Sequence, residues 1–334
     1  RLIVPAEDGY VIVNHPLPPG STTEMDGIYN LPYMRSPHPR YRGKTIPAWE
    51  MIKFSINIHR GCFGGCSFCT ISAHQGKFIS SRSQKSILDE VETVAEMPDF
   101  KGYLSDLGGP SANMYMMQGI DLNVCKRCKK PSCIFPKVCP NLNTDHKPLI
   151  NLYKKSRAVK GIKKAFIGSG IRYDLFADWS DSTNRQYFEE VVRHHVSGRL
   201  KVAPEHTEEE VLKHMRKPSF KLFVQLKEKF DSLNRIHGLN QQLTPYFISS
   251  HPGCTIEHMQ KLSGVVKTMG LHLEQVQDFT PTPMTLASTI FYTGIDPYTG
   301  NKIFVEDSKD GKLKQRELFF AKPYTPKKPM KRKR

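Results

Sequence analysis

The sequence predicts an α/β fold, an open and partial (β/α)6 barrel, on three observations. Six short β-rich runs follow one another from residue 52 onward. Each is followed by a turn and a helical stretch, at spacings of roughly 35–60 residues that suit βα units carrying loop insertions. Alternation of this kind builds a parallel sheet through right-handed crossovers. Six units fall short of the eight that close a full TIM-type barrel, so the predicted barrel stays open.

The β-rich runs are Ile52–His59, Gly102–Leu107, Lys164–Gly168, Arg199–Ala203, Leu243–Ser249 and Glu274–Phe279. Between them, 83–97 places Ile87, Leu88, Val91, Val94 and Ala95 on one helical face. In 207–216 a capping box is predicted from Thr207 to Glu210, ahead of Val211, Leu212 and Met215. Residues 182–196, 219–237 and 256–269 also read as helices. Residues 1–50 hold eight of the 24 prolines and no helical periodicity. They are predicted to form an extended lead-in strapped along the barrel domain of 51–289, which carries a Cys-rich insertion at about 120–145. Residues 290–320 are expected to form a small C-terminal appendage.

The chain has 334 residues and a net charge of +17. No apolar run approaches the ~18 residues of a membrane span. The N-terminal residues lack the basic start, apolar stretch and cleavage site of a secretory signal. A cytoplasmic protein with no membrane partner is expected. Arg1 in place of Met marks the chain as a fragment or a processed product. The last thirteen residues, KPYTPKKPMKRKR, carry seven basic side chains and no acidic one. Such a Pro-rich stretch buries nothing, so 321–334 reads as a basic disordered tail. Tail and body together make nucleic acid a candidate partner by charge.

The eight cysteines fall into a three, a four and a single. Cys62, Cys66 and Cys69 have the spacing C-x3-C-x2-C directly after the first predicted strand. Gly61, Gly64 and Gly65 let that backbone curl tightly. Three thiolates from one short loop hold three irons of a [4Fe–4S] cluster and leave the fourth iron without a protein ligand, where a ferredoxin supplies a fourth Cys. The alternatives are zinc, which wants four ligands, and unligated reduced thiols. The incomplete set, with Phe68 before Cys69, favours the open cluster.

The strings HRGCFGGCSFC, SDLGGPSANMY, GSGIRYD, LKVAPEHT and YFISSHPGCT resemble the YgiQ family within the radical S-adenosylmethionine (SAM) superfamily, over about residues 1–300. The resemblance implies that the open iron of the cluster takes SAM. One electron then cleaves SAM to methionine and a 5′-deoxyadenosyl radical, which abstracts hydrogen from a substrate that the resemblance does not identify. An external one-electron reductant of the flavodoxin or ferredoxin type is the implied partner. Family members are longer, with further regions on both sides.

Chemistry in such barrels gathers at the C-terminal ends of the strands. There the resemblance gives Gly108 and Gly109 a backbone role toward the methionine amino group; Pro110 stands where the superfamily has Glu. Ser169 is expected at the ribose or carboxylate of SAM, beside Arg172 and Asp174, whose plainer reading is an exposed salt bridge. Glu205 is expected at the ribose hydroxyls. Cys254, at the end of the fifth strand, is a candidate catalytic redox or hydrogen-donor group; a buried small hydrophobe is the alternative.

Cys125, Cys128, Cys133 and Cys139 read C-x2-C-x4-C-x5-C among Lys126, Arg127, Lys129, Lys130 and Lys137. Four thiols within fifteen residues suit zinc or a second Fe–S cluster equally by count. Two readings of other classes stand beside the enzyme: a metal-binding nucleic-acid module, and an Fe–S electron carrier without SAM chemistry.

Overall fold

A computed structural model gives the fold; it describes residues 2–14, 18–271, 273 and 275–320. The basic tail at 321–334 and the first residue of the sixth predicted strand, Glu274, lie outside the described residues. The chain opens on an antiparallel hairpin, β1 (Leu2–Ala6) and β2 (Gly9–Val13). Helix α1 (Thr22–Tyr29) follows, then α2 (Pro47–Ile52). Helix α1 departs from the sequence expectation of a lead-in without helix. Its start is set by a capping box: the Ser21 N–H donates to the Glu24 carboxylate at 2.7 Å and the Glu24 N–H to the Ser21 hydroxyl at 3.3 Å. Met25 is buried, and Asp26 accepts the Ser83 N–H at 2.9 Å, so this segment does lie along the next domain.

The first half of the main fold comprises β3 (Ser55–Asn57), β4 (His59–Arg60), α3 (Ile71–His74), β5 (Ser80–Ser81), α4 (Gln84–Ala95), β6 (Tyr103–Leu104), β7 (Asp106–Gly108), α5 (Leu122–Arg127), α6 (Lys147–Ala158) and β8 (Lys164–Ala165). The second half comprises α7 (Ser182–Glu190), β9 (Arg199–Glu205), α8 (Glu209–Met215), α9 (Phe220–Ile236), β10 (Gln242–Ser249), α10 (Ile256–Thr268), β11 (Val276–Asp278), α11 (Leu286–Thr293) and α12 (Lys309–Phe320). The predicted capping box at Thr207 does not form. Instead the Glu208 N–H donates to His206 Nδ1 at 3.0 Å, and α8 begins after Glu208 without a side-chain cap.

The pairings β3 with β7, β6 with β8, and β9–β10–β11 in chain order are parallel, while the two-residue strands β4 and β5 pair antiparallel. The Leu107 N–H donates to the Phe166 carbonyl at 2.9 Å, which continues the first run beyond β8. The fold is thus a mixed α/β architecture with parallel strands; its sheets are small and do not close into a barrel.

Two apolar cores follow from the two runs. In the first, Ile56, Leu104 and Leu107 from the strands meet Ile87, Val91 and Val94 of α4. Each such burial contributes roughly 1.5–3 kcal/mol. In the second, Phe247 and Val276 meet Val211 and Leu212 of α8 and Met259 and Leu262 of α10. Leu318 and Phe319 of α12 join that second core. The stretch read as an appendage therefore contributes a helix to the packing beside β10 and β11. Among the described residues no helix is long and apolar enough to cross a membrane.

Candidate metal and cofactor site

The loop after β4 is shaped by its glycines. Gly61 has φ +89°, and a Cβ there would lie 2.2 Å from the Phe78 carbonyl oxygen. The Cys62 N–H donates to the Gly76 carbonyl at 3.0 Å, and the Cys69 N–H to the Cys66 carbonyl at 3.2 Å. Gly64 donates its N–H toward Cys62 Sγ at 3.4 Å. All three cysteines are half-buried free thiols. Burial pushes the Cys62 thiol up to about 11, and the neighbouring Cys66 sulfur adds to the rise. Burial likewise raises Cys69, with Cys66 and then Glu205 adding to it. The three sulfurs therefore share one electrostatic neighbourhood that disfavours bare thiolates. A soft cation supplies the compensating charge, so the donor set fits a thiolate-bound metal centre.

One buried cation already faces it. Arg172 Nη1 lies 3.3 Å from Cys66 Sγ. Burial works against the Arg172 charge, but Asp174 and the Cys66 sulfur outweigh it and hold the guanidinium well above its usual range. Its backbone is fixed by Asn113, which accepts the Arg172 N–H at 2.7 Å and donates to its carbonyl at 2.9 Å. Asn113 in turn lies 3.2 Å from the Nε2 of His146, a fully buried ring. The Arg172–Asp174 pair is buried, not the exposed salt bridge of the plainer sequence reading.

The strand ends bring some predicted residues together. Ser169 donates from its hydroxyl to both carboxylate oxygens of Asp106, at 2.9 and 2.7 Å. A Cβ on Gly108 would lie 2.2 Å from Ser169 Oγ, so Gly108 and Ser169 are neighbours. Gly109 lies over the His59 ring, whose two nitrogens are buried and find no hydrogen-bond partner among the described residues. Glu205 closes β9 with φ +68°, in the left-handed region that a Glu rarely adopts. It is buried, with Lys217 Nζ 3.6 Å away. Burial raises its carboxyl, while Lys217 and Arg172 pull it back. Backbone strain of this kind persists where the surroundings over-determine it, typically at functional positions.

Phe68 packs on the second core, edge-on to His251 at 5.9 Å. Cys254 is fully buried in that core, 3.5 Å from His206 Nε2, and burial pushes its thiol up to about 12. It thus sits as a protonated side chain with His206 and Gln315 as polar neighbours, in the same core on which Phe68 of the three-Cys loop packs. Asp106, Asn113, His146 and Lys217 were not singled out by the sequence reading. Asp106 and Asn113 do stand in the SDLGGPSANMY string; His146 and Lys217 carry no local signal.

A cleft of about 430 Å³ opens beside the loop, lined by Cys66, Ser67, Cys69, Met284 and Thr285 among others. Gly108, Gly109, Ser169 and Glu205 do not line it.

The second cysteine group sits against the first. The Cys133 N–H donates to the Phe63 carbonyl at 3.0 Å. Burial raises the Cys133 thiol, Lys77 lowers it, and Cys139, Cys128 and Cys125 each raise it. Among the described residues no three His, Cys, Asp or Glu side chains gather about a single ion's position.

Comparison with known proteins now places the chain. Residues 1–55 match the family model for the radical SAM N-terminal region. A UPF0313 protein of Bacteroides thetaiotaomicron is 60% identical over 325 residues, covering 96% of this chain and 52% of that protein. The UPF0313 protein YgiQ of Escherichia coli K12 is 46% identical over 320 residues, covering 94% of this chain and 42% of that protein. The chain thus spans about half the length of the curated relatives it matches. Among solved structures, the radical SAM methyltransferase TsrM of Kitasatospora setae, with cobalamin and a [4Fe–4S] cluster bound, aligns at a TM-score of 0.50 and 15% identity, covering 95% of this chain and 57% of that one. That likeness concerns the fold alone. With the three-cysteine loop directly after β4 and these relatives at such identity, the chain belongs to the YgiQ-like UPF0313 family of the radical SAM superfamily.

Proposed function

We propose that the chain holds a [4Fe–4S] cluster on Cys62, Cys66 and Cys69 and reductively cleaves SAM to start hydrogen abstraction from a substrate of unassigned class. The observation that carries this is the three-thiol loop with the Arg172 guanidinium aimed at one of its sulfurs. When bound, such a cluster supplies one electron to break the C5′–S bond, releasing methionine and a 5′-deoxyadenosyl radical. The chain's own groups bind and orient. The two parallel runs are read as an open six-stranded barrel whose strand ends face the cofactors. The carbonyls of Gly108 and Gly109 receive the methionine amino group. Ser169, held by Asp106, and Glu205, held by Lys217, offer oxygens to ribose and carboxylate. Phe68 backs the loop and keeps water from it. The reductant is an external one-electron protein donor of flavodoxin or ferredoxin type, and the setting is the cytoplasm, where thiols stay reduced.

The test is anaerobic reconstitution with iron and sulfide, a strong reductant and SAM. Formation of 5′-deoxyadenosine is expected, together with a change in the EPR signal when SAM is added. Cys62→Ala, Cys66→Ala and Cys69→Ala should each abolish both. An EPR signal indifferent to SAM identifies an electron carrier and overturns the proposal.

A further inference from the structure

The four cysteines between β7 and α6 have no part in the reaction above, yet their loop is built onto the three-Cys loop at three points. Besides the bond from Cys133 to Phe63, the Ser132 hydroxyl donates to the Gly64 carbonyl at 2.7 Å. Gly65, at φ +61°, sits so close to Pro131 that a Cβ would lie 2.3 Å from the Pro131 carbonyl oxygen.

One sulfur has partners of its own, and the backbone of the other three cysteines is held in place. Asn141 donates its amide N–H to Cys125 Sγ at 3.3 Å and is itself fixed by two bonds to the Asp121 backbone, at 2.8 and 2.9 Å. Gly119 leaves room for the same sulfur, since a Cβ there would lie 2.2 Å from it. The Cys139 N–H donates to the Cys133 carbonyl at 2.7 Å, which folds the last ligand back onto the third. Lys77 reaches in from the other loop, donating to the Lys130 carbonyl at 2.9 Å and toward that of Cys128 at 3.4 Å. Four thiolates crowded into one loop repel one another, so the arrangement calls for a bound cationic centre as well as this lysine.

Position favours an iron–sulfur cluster over zinc: Cys133 and Ser132 bond the loop directly to the backbone of the three-Cys loop, where an electron-carrying centre can exchange electrons with the first cluster and a redox-inert zinc cannot. We infer that Cys125, Cys128, Cys133 and Cys139 hold a second iron–sulfur cluster, of the [4Fe–4S] type, docked against the Cys62–Cys69 loop through Cys133 and Ser132.

The experiment counts iron, acid-labile sulfide and zinc in the anaerobically reconstituted full chain, in the triple variant Cys62→Ala/Cys66→Ala/Cys69→Ala, and in the double variant Cys125→Ser/Cys128→Ser. The expected result is about eight irons in the parent and about four in each variant, the triple variant keeping a reduced-cluster EPR signal that SAM does not alter. Loss of all iron from the triple variant overturns the inference, as does about one zinc per chain that the double variant lacks. If the double variant does not fold, as judged by circular dichroism, the triple variant decides alone. About four irons in the parent that survive in the triple variant uphold this site while refuting the three-cysteine one.

Discussion

The Arg172 guanidinium joins Cys66 to Asp174: Nη1 lies 3.3 Å from the sulfur, while Nε and Nη2 meet the two carboxylate oxygens at 3.0 and 2.5 Å. The planar fork satisfies Asp174 with two donors and leaves a third for the sulfur, which a lysine's point charge does not reproduce. Arg172→Gln breaks a buried pair, and a loss of ~3–5 kcal/mol in stability is expected. In reconstituted protein it also removes a positive charge and an N–H donor from a cluster sulfur, so the midpoint potential becomes more negative. Arg172→Lys should fall between the two in both respects. A redox titration followed by EPR checks this, and an unchanged potential in the Gln variant refutes the role at the sulfur.

Gly65 and Gly264 predict opposite signs for one substitution. Gly65→Ala places a methyl against the Pro131 carbonyl at a left-handed φ of +61°. The two cysteine loops must then part, and a loss of at least ~1–3 kcal/mol is expected. Gly264 lies exposed within α10 with nothing within 4 Å of its would-be Cβ. There Ala gains about 0.5–1 kcal/mol by helix propensity. Thermal melts of the two variants give the comparison; a neutral Gly65→Ala would mean that the loops do not dock as described.

The strand positions were legible because each β-rich run is bounded by turn residues, and every observed strand of the main fold except β5, which no predicted run covers, lies in or within two residues of such a run. What the pattern did not contain was the pairing. Strand β8 is only two residues long, and the runs on either side of it are not joined into one sheet. Helix α1 was missed because its neighbourhood is proline-rich; Ser21 and Glu24 at capping-box spacing were the available signal. At the site, the nearness of Cys62, Cys66 and Cys69 to one another follows from their spacing in one short loop. Asn113 and Lys217 were not legible, because their meaning lies in partners from other strands. Cys254 follows the end of β10, as its place in the sequence implies, but its partners His206 and Gln315 come from the end of β9 and from α12, which no local pattern specifies.

Four buried histidines set an acid limit on the fold. Burial holds His59, His146 and His251 down at about 4 and His206 at about 3. In the unfolded chain a histidine titrates near ~6.5. The unfolded state therefore takes up more protons, and stability present above pH ~6.5 is lost as pH falls from there toward about 4. Each ring adds a slope approaching ~1.4 kcal/mol per pH unit in that window. Denaturant melts between pH 7 and 4.5 should show it, and His59→Leu should shallow the slope by about one proton. An unaltered slope would show that His59 is charged or exposed in the fold.

Gln315 ties α12 to the end of β10. Its Oε1 accepts the Ser250 N–H at 2.8 Å and its Nε2 donates to the Cys254 carbonyl at 3.2 Å, with the side chain almost wholly buried. Ser250 holds φ +58°, so its N–H points away from any strand neighbour and depends on this partner. Gln315→Leu keeps the approximate volume but strips both bonds, leaving a buried donor and acceptor bare at ~1–3 kcal/mol each. Arg316, next to it, pairs with Asp278 at 2.9 Å on a half-exposed edge, and its loss should cost no more than ~1 kcal/mol. Hydrogen exchange separates a local tie from a global one. In Gln315→Leu, amides of α12 and of 250–254 should lose protection while those of β3 and β7 keep theirs. Arg316→Ala should leave both regions near the parent level. Equal loss in β3 and β7 would mean that Gln315 supports the whole fold and not this strap alone.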